Sequence, residues 1–494
     1  MSALAAPPET GAVQTPQHAR GAFTLRSFAG DAGLVMGGAL VGNVFNYFFH
    51  FVVSRLLGPD HYGTLATLLG LAAMVSVVGS AVGTVAMQET ARMWALHLDT
   101  HMPKFLRDVS SVAVVVALWS AAGVLLAGFA LAKYLHIVQP ALWTAFAAYI
   151  GVAAIATFLR GAVQGAHRFG YFAASLIGEG VLKLVLAALF VMAGFNVLGA
   201  LGGIICGVVA GTLIAAVPVW RVSSVAGAGP RGRSTVKVDR YQSEGSLGEA
   251  VPRGRSTVKV DRYQDERVKD ERVKRDRYRE HLRFGGESLK VLSVSAALTG
   301  LLYVDMLFAK HHLSGNAAGY YGAAGTIART IPYGVGFIGL VLMPKAAAAH
   351  HSSRHSLLHL LGLTFGLALL AVLSASAIMS LMPATLIDIT YGAKFLAAAP
   401  LLRIYAVNAS LLALCSLAGS YLVALRDYSI APYLIAGLLI DAVAMALFGT
   451  TPLRLLSIAI GVNLLLLPAI ALRIGASLRT APQAPSPLAA EALE

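Results

Sequence analysis

The chain has 494 residues, 57% of them hydrophobic and only 13% charged, with a formal net charge of +14. Soluble globular chains carry about a quarter charged residues, so this composition excludes a water-soluble fold and points to an all-α polytopic membrane protein. The positive balance would suit nucleic acid, but the cations lie mostly beside apolar runs, which is the positive-inside pattern of membrane insertion, and no nucleic-acid partner is expected.

A crossing needs about 20 mostly apolar residues, and the hydropathy predicts about twelve. Residues 1–26 are Ala/Pro-rich and polar and read as a disordered cytoplasmic N-terminus. The apolar run after them is too long for a signal-peptide core and is taken as an uncleaved first span. With it, the first six spans are expected at Ala32–Leu57, Tyr62–Val85, Ser110–Leu135, Leu142–Leu159, Phe172–Phe195 and Val197–Trp220, forming a first bundle over 27–220. A charged cytoplasmic linker is expected at 221–284. Six more spans are expected at Ser288–His311, Ala317–Met343, Leu357–Met382, Ala398–Leu425, Ile430–Leu447 and Leu455–Ile474, a second bundle over 285–480, with a disordered tail over 481–494. Lys and Arg are denser in alternate loops, which places both termini and the linker on the cytoplasmic side.

The linker repeats itself: PRGRSTVKVDRYQ occurs at 230–242 and again at 252–264, and DERVK occurs twice over 265–274. Such mixed-charge, low-complexity sequence cannot bury enough surface to fold alone. It is read as a solvated connection, its final part able to form a charged helix over the lipid headgroups. Cys206 and Cys415 lie in apolar stretches with no metal-ligand spacing and are read as small core residues. The pairs His311–His312 and His350–His351 sit at helix ends and are read as solvated.

Ionisable groups inside spans are costly and mark either function or a partner. In the first span Asn43, Asn46, His50 and Ser54 share one helical face; the stripe either lines a water-filled cavity or hydrogen-bonds a neighbouring helix. Glu179 and Lys183 are four residues apart and can pair. Asp305 lies near the outer end of the seventh span and Arg329 near the middle of the eighth, on the order of 10 Å apart in height, so no direct pair is expected between them. Arg403 lies in the tenth span and Asp441 near the middle of the eleventh. Asp441 is a candidate proton or cation site or a structural carboxyl.

No GxxxxGK[ST] loop and no HExxH is present, and no loop is long enough for a soluble catalytic domain, so a transporter without cofactor or metal is expected rather than an enzyme. Its driving force would be an ion gradient, the membrane potential or the substrate's own gradient.

Four segments carry a resemblance. SRLLGPDHYGTLATLLGL at 54–71 resembles the R-x-L-G-P-x-x-Y-G signature of polysaccharide-export flippases, the Wzx-type proteins of the MOP superfamily. RGAVQGAHRFGYFA at 160–173 is similar to that family's segment between spans four and five. YVDMLFAKHHLSGNAAGYYGAA at 303–324, followed by PYGVGFIGLVLMPKAAA, resembles its D-x-x-x-L…G-x-Y…A pattern. TYGAKFLAAAPLLRIYA at 390–406 resembles its Y-G-x-x-[FY]…A…L segment. The resemblance runs from about Phe23 to Leu478; the long repeated linker departs from it. It implies two six-helix bundles related by a pseudo-twofold around a central cavity. It also implies alternating access, and a polyprenyl-pyrophosphate-linked oligosaccharide moved from the cytoplasmic to the periplasmic leaflet of a bacterial inner membrane. Membrane lipids, a polysaccharide polymerase and export proteins would be its partners. A pyrophosphate head needs cations in a hydrated cavity, so Arg55, Arg160, Lys183, Arg329 and Arg403 become candidate substrate contacts, with Asn43, Asn46 and His50 for sugar hydroxyls. Arg55 and Arg160 have the alternative of snorkelling to the two surfaces. Glu179, Asp305 and Asp441 become candidates for ion coupling.

Three other readings remain open. A drug or metabolite antiporter of the same fold would need an acidic cavity. An unrelated twelve-span symporter would show G-x-x-x-D-R loops after its second span, and 89–107 has none. A scaffold for glycan assembly would use the linker as a docking arm.

Overall fold

The structure, a computed structural model, describes residues 25–95, 102–227, 289–338 and 354–480. Among the described residues every regular element is helical and there is no strand. In chain order these are α1 (Leu25–Ala95), α2 (Met102–Tyr134), α3 (Pro140–Gly165), α4 (Phe169–Phe190) and α5 (Asn196–Gly227). They continue with α6 (Leu289–His312), α7 (Gly315–Ala328), α8 (330–338), α9 (Arg354–Leu381), α10 (Pro383–Tyr391), α11 (Ala399–Ala424), α12 (Ala431–Phe448) and α13 (Pro452–Thr480).

Nine described stretches are long and apolar enough to cross a membrane. Two are too long for a single crossing. The 61-residue stretch Gly33–Met93 would reach roughly 90 Å as a straight helix, against a hydrocarbon core of about 30 Å. It breaks at Gly58, whose φ of 73° and ψ of 173° suit only glycine, immediately before Pro59, which has no N–H to donate. The 51-residue stretch Phe169–Val219 breaks through a π-helical turn at Val191–Phe195, with Asn196 at φ 48°. Counting both broken stretches twice, and α7 with α8 as one more crossing, gives the twelve expected from hydropathy.

Several local expectations are corrected. Helix α5 continues to Gly227, into the expected linker. The connection between the ninth and tenth spans contains the nine-residue α10, too short to register as a hydropathy peak. The eighth span is interrupted by a turn at Arg329. Cys206 is exposed, whereas Cys415 is buried as expected. The repeats at 230–274, the residues before 25, the tail after 480 and the pair His350–His351 lie outside the described residues.

Helices α1, α3, α4 and α5 pack together, with α2 against α3; in the second set α11 is central, against α7, α9 and α13, and α12 lies on α13. Small residues allow the close crossings, as membrane helices require. A Cβ at Gly161 would meet the Gly83 carbonyl oxygen at 2.1 Å, and one at Gly203 the Ala187 backbone at 2.3 Å. Large apolar side chains face outward instead, Trp119 and Phe129 among them at 73% and 86% exposed. An apolar exterior on helices whose backbone groups are satisfied internally is what a bilayer selects.

The two sets meet where the Gly58 break of α1 packs against the start of α7. A Cβ on Gly319 would sit 1.8 Å from the Pro59 carbonyl oxygen, and one on Gly63 2.8 Å from the Gly319 nitrogen. At the ends of α2 and α6, Tyr134 stacks on His311 with ring centroids 3.7 Å apart, and His311 Nδ1 lies 2.7 Å from the Tyr134 carbonyl oxygen. His311 is therefore a packing residue of this seam rather than a solvated loop histidine. These contacts join the two sets along one seam.

Candidate functional site

Helix α1 carries the polar stripe into the space between the two sets. A cavity of about 390 Å³ is lined on one side by Asn43, Asn46, Tyr47 and His50, and on the other by Tyr303, Thr326, Arg329 and Tyr333. A second cavity of about 320 Å³ lies between α1 and α4, bounded by Asn43, Asn46, Glu179 and Lys183. Asn43 and Asn46 border both, so the amide stripe lies between two lobes, each also lined by apolar residues such as Leu40, Val44 and Leu176. Ser54 does not share this role: it is buried and donates to the Phe51 carbonyl at 3.1 Å.

The expected Glu179–Lys183 pair is replaced by two other arrangements. Arg160 binds Glu179 directly, and its Nε donates to Ser175 Oγ at 2.9 Å. Ser175 Oγ in turn donates to the Gly211 carbonyl at 2.8 Å. Lys183 turns the other way, donating from Nζ to Asn46 Oδ1 at 2.6 Å and lying 5.2 Å from the centroid of the Phe49 ring. Helix spacing permits an i,i+4 pair, but an arginine on α3 offers Glu179 a planar, multi-donor partner that lysine cannot match.

Asp305 and Arg329 do pair, against the expectation from height counting. Arg329 Nη2 donates to Asp305 Oδ1 at 2.9 Å and to the Tyr405 hydroxyl at 2.6 Å, and Nε donates to the Leu302 carbonyl at 2.8 Å. Tyr321 donates to Asp305 Oδ2 at 3.0 Å, and Tyr405 donates to the same oxygen. The guanidinium also faces the Tyr303 and Tyr405 rings, 4.7 and 5.3 Å from their centroids. The reason lies in helix geometry. Side chains lean toward the N-terminus of their own helix. Antiparallel α6 and α7 therefore tilt Asp305 and Arg329 toward each other, and the length of the arginine spans the rest. Both residues are buried, at 2% and 5% exposed.

The other candidates lie apart from the cavity. Arg403 is exposed on α11 and borders neither lobe. Arg55 donates to the Asp388 and Ile389 carbonyls at 3.1 and 2.5 Å, capping the end of α10 across the seam. Asp441 is buried in α12, and its Oδ1 has no hydrogen-bond partner among the described residues. No group of three or more His, Cys, Asp or Glu able to hold a metal occurs among the described residues.

Sequence reasoning missed the tyrosines. The Tyr62 hydroxyl lies 3.0 Å from His50 Nδ1, 2.9 Å from the Tyr391 hydroxyl and 3.2 Å from Thr326 Oγ1. A chain of hydroxyls thus leads from cavity-lining His50 to the end of α10. In the cavity wall the Tyr303 and Tyr333 hydroxyls bond each other. One signal was present: Tyr62 and Tyr391 are the Tyr of the Tyr-Gly pair in two of the four quoted segments, and the fold brings them together.

No family model and no curated protein matches the chain. Solved structures do match it. An inward-facing multidrug-resistance MATE transporter of the MOP superfamily aligns over 89% of this chain and 96% of its own, with TM-score 0.65 and 14% identity. The lipid II flippase MurJ, in an inward closed conformation, aligns over 90% of this chain and 87% of its own, with TM-score 0.57 and 10% identity. An outward-facing MATE transporter aligns over 91% and 95%, with TM-score 0.51 and 16% identity. The chain shares its fold with transporters of the MOP superfamily. These neighbours are transporters and flippases, not enzymes, and the Wzx-type subdivision is not distinguished by them.

Proposed function

We propose that this protein is a lipid-linked oligosaccharide flippase, moving a polyprenyl-pyrophosphate glycan from the cytoplasmic to the periplasmic leaflet for extracellular polysaccharide synthesis. The observation that carries the reading is the lining of the space between the helix sets. Amides from Asn43 and Asn46, the His50 imidazole and the phenols of Tyr47, Tyr303 and Tyr333 give hydrogen-bonding edges and flat faces suited to sugars. Arg329 borders this cavity, and Lys183 borders the smaller one on the other side of the amide stripe. A membrane-embedded fold shared with the lipid II flippase MurJ supports it.

The neighbouring MATE transporters suggest a second reading, an antiporter of drug-like compounds. The charges favour the first. A cationic compound needs an unpaired acid in the cavity, yet among the described residues the one carboxylate bordering it, Glu179, is held by Arg160. Asp305 is held by Arg329. Asp441, with an open buried oxygen, is then the carboxyl we assign to ion coupling, with Glu179 and Asp305 joining only if their arginines move away.

In this reading the bodies 27–220 and 285–480 rock against each other, and the seam is the periplasmic gate. In the same reading the membrane is a bacterial inner membrane, and the loops denser in Lys and Arg, with both termini, face the cytoplasm. The higher TM-score to the inward-facing transporter agrees with a gate closed on the outer side. Deleting 230–279 separates the flippase from a scaffold: a flippase keeps moving substrate, whereas a scaffold loses its polymerase and export partners.

A further inference from the structure

Two cations border the cavities, Arg329 the larger lobe and Lys183 the smaller, and a third, Arg160, lies behind Glu179 of the smaller lobe; both arginines are neutralised. Arg160 is fixed by Glu179 and Ser175, and is wedged so tightly that a Cβ on Gly211 would lie 2.6 Å from its Nη2. Arg329 is fixed by Asp305, the Leu302 carbonyl and two tyrosine rings. Each of these arginines makes an ion pair with a carboxylate and so adds no net charge.

Lys183 differs. It borders the smaller lobe, it is 9% exposed, and no carboxylate lies within ion-pair distance of it among the described residues. Its natural helical partner, Glu179, is taken by Arg160. An ammonium has three N–H donors, and here one is used, on Asn46 Oδ1. The π face of Phe49 offers a second, weaker partner. A poorly hydrated ammonium with no carboxylate in ion-pair contact, beside a Glu179 whose charge is already matched by Arg160, is costly to keep. An anion arriving in the lobe would supply the missing charge, and Asn46 would carry its position to the larger lobe, which it also borders.

We propose that Lys183, and not the arginines, sets the charge selection of the cavity: it receives the phosphate-type anionic head of an amphiphile whose polar remainder lies along Asn43, Asn46 and the tyrosine wall. This rests on the lipid-linked reading above and narrows it to one residue.

The test uses the full-length protein in nanodiscs with three probes: farnesyl pyrophosphate, farnesol and the lipophilic cation tetraphenylphosphonium. Wild type is expected to prefer farnesyl pyrophosphate to farnesol by at least tenfold. Lys183→Gln, close in length and uncharged, is expected to lose about tenfold of that preference. Lys183→Arg is expected to keep it, and Lys183→Glu to shift preference toward tetraphenylphosphonium. Retained melting temperature and unchanged farnesol affinity in Lys183→Gln show that the cavity is intact; if that variant is unstable, the Arg and Glu variants carry the comparison. A wild type that prefers pyrophosphate together with a Lys183→Gln that still does so overturns the role of Lys183 and leaves the lipid-linked reading standing. A wild type that prefers tetraphenylphosphonium overturns both.

Discussion

The Tyr62 hydroxyl offers a sharp test of how the seam is held. It is fully buried and has three hydroxyl or imidazole partners. In Tyr62→Phe, Thr326 keeps its bond to the Gly322 carbonyl at 2.8 Å, and His50 faces the cavity, where water can replace the phenol. Tyr391 is different: it is 1% exposed, and its hydroxyl loses the 2.9 Å bond across the seam. Leaving one such group unsatisfied costs about 1–3 kcal/mol, and about 2 kcal/mol corresponds to roughly a 30-fold shift in a two-state equilibrium. Because the bond joins α1 to α10, the shift is expected toward an open seam. Tyr62→Phe with Tyr391→Phe removes both ends together, and replacing both partners by apolar groups is nearly neutral. The double variant should therefore recover most of the loss, with a coupling energy of about 1–2 kcal/mol. Spin labels at exposed His61 and Lys394, on opposite sides of the seam, would report it by electron–electron distance distributions in nanodiscs. The reasoning fails if the two single effects simply add in the double variant.

Other outcomes follow from the same contacts. Arg329→Met leaves Asp305 buried without its cation and should destabilise the protein by about 3–5 kcal/mol, while adding Asp305→Asn should restore much of the loss, both read by thermal unfolding in detergent. Gly319→Val places side-chain carbon against the Pro59 carbonyl, where even a Cβ would sit at 1.8 Å, so labelling of a cysteine at position 61 should show a seam that closes less often or not at all. Arg55→Gln removes exposed bonds to α10 and should leave head-group affinity unchanged, whereas Lys183→Gln should not. Asp441→Asn should keep the fold, having no hydrogen bond at Oδ1 to lose, and should abolish the dependence of transport on the coupling ion.

Hydropathy made the crossings legible because a bilayer enforces length and apolarity together. The expected span Ala398–Leu425 corresponds to a helix at Ala399–Ala424, and Ile430–Leu447 to one at Ala431–Phe448. The break at Gly58 was legible for a similar reason, since Gly-Pro between two apolar runs leaves the chain few alternatives. The amide stripe of α1 was legible from its period. The charge pairs were not, because residue counting gives the height of a Cα and omits the direction and reach of the side chain. That omission separated Asp305 from Arg329 on paper and joined Glu179 to Lys183. The tyrosines escaped notice because phenols are unremarkable in apolar helices until a partner is known. Arg403 shows the converse: an in-span arginine need not face the interior, and only the rotation of α11 decides it.

In the proposed function the space between the helix sets carries a lipid-linked glycan across the bilayer. Leaflet-resolved labelling of lipid-linked oligosaccharide in cells depleted of the protein tests it directly. Accumulation on the cytoplasmic side is expected, reversed by wild type but not by Lys183→Gln. An unchanged distribution between leaflets would contradict it and bring the antiporter reading forward.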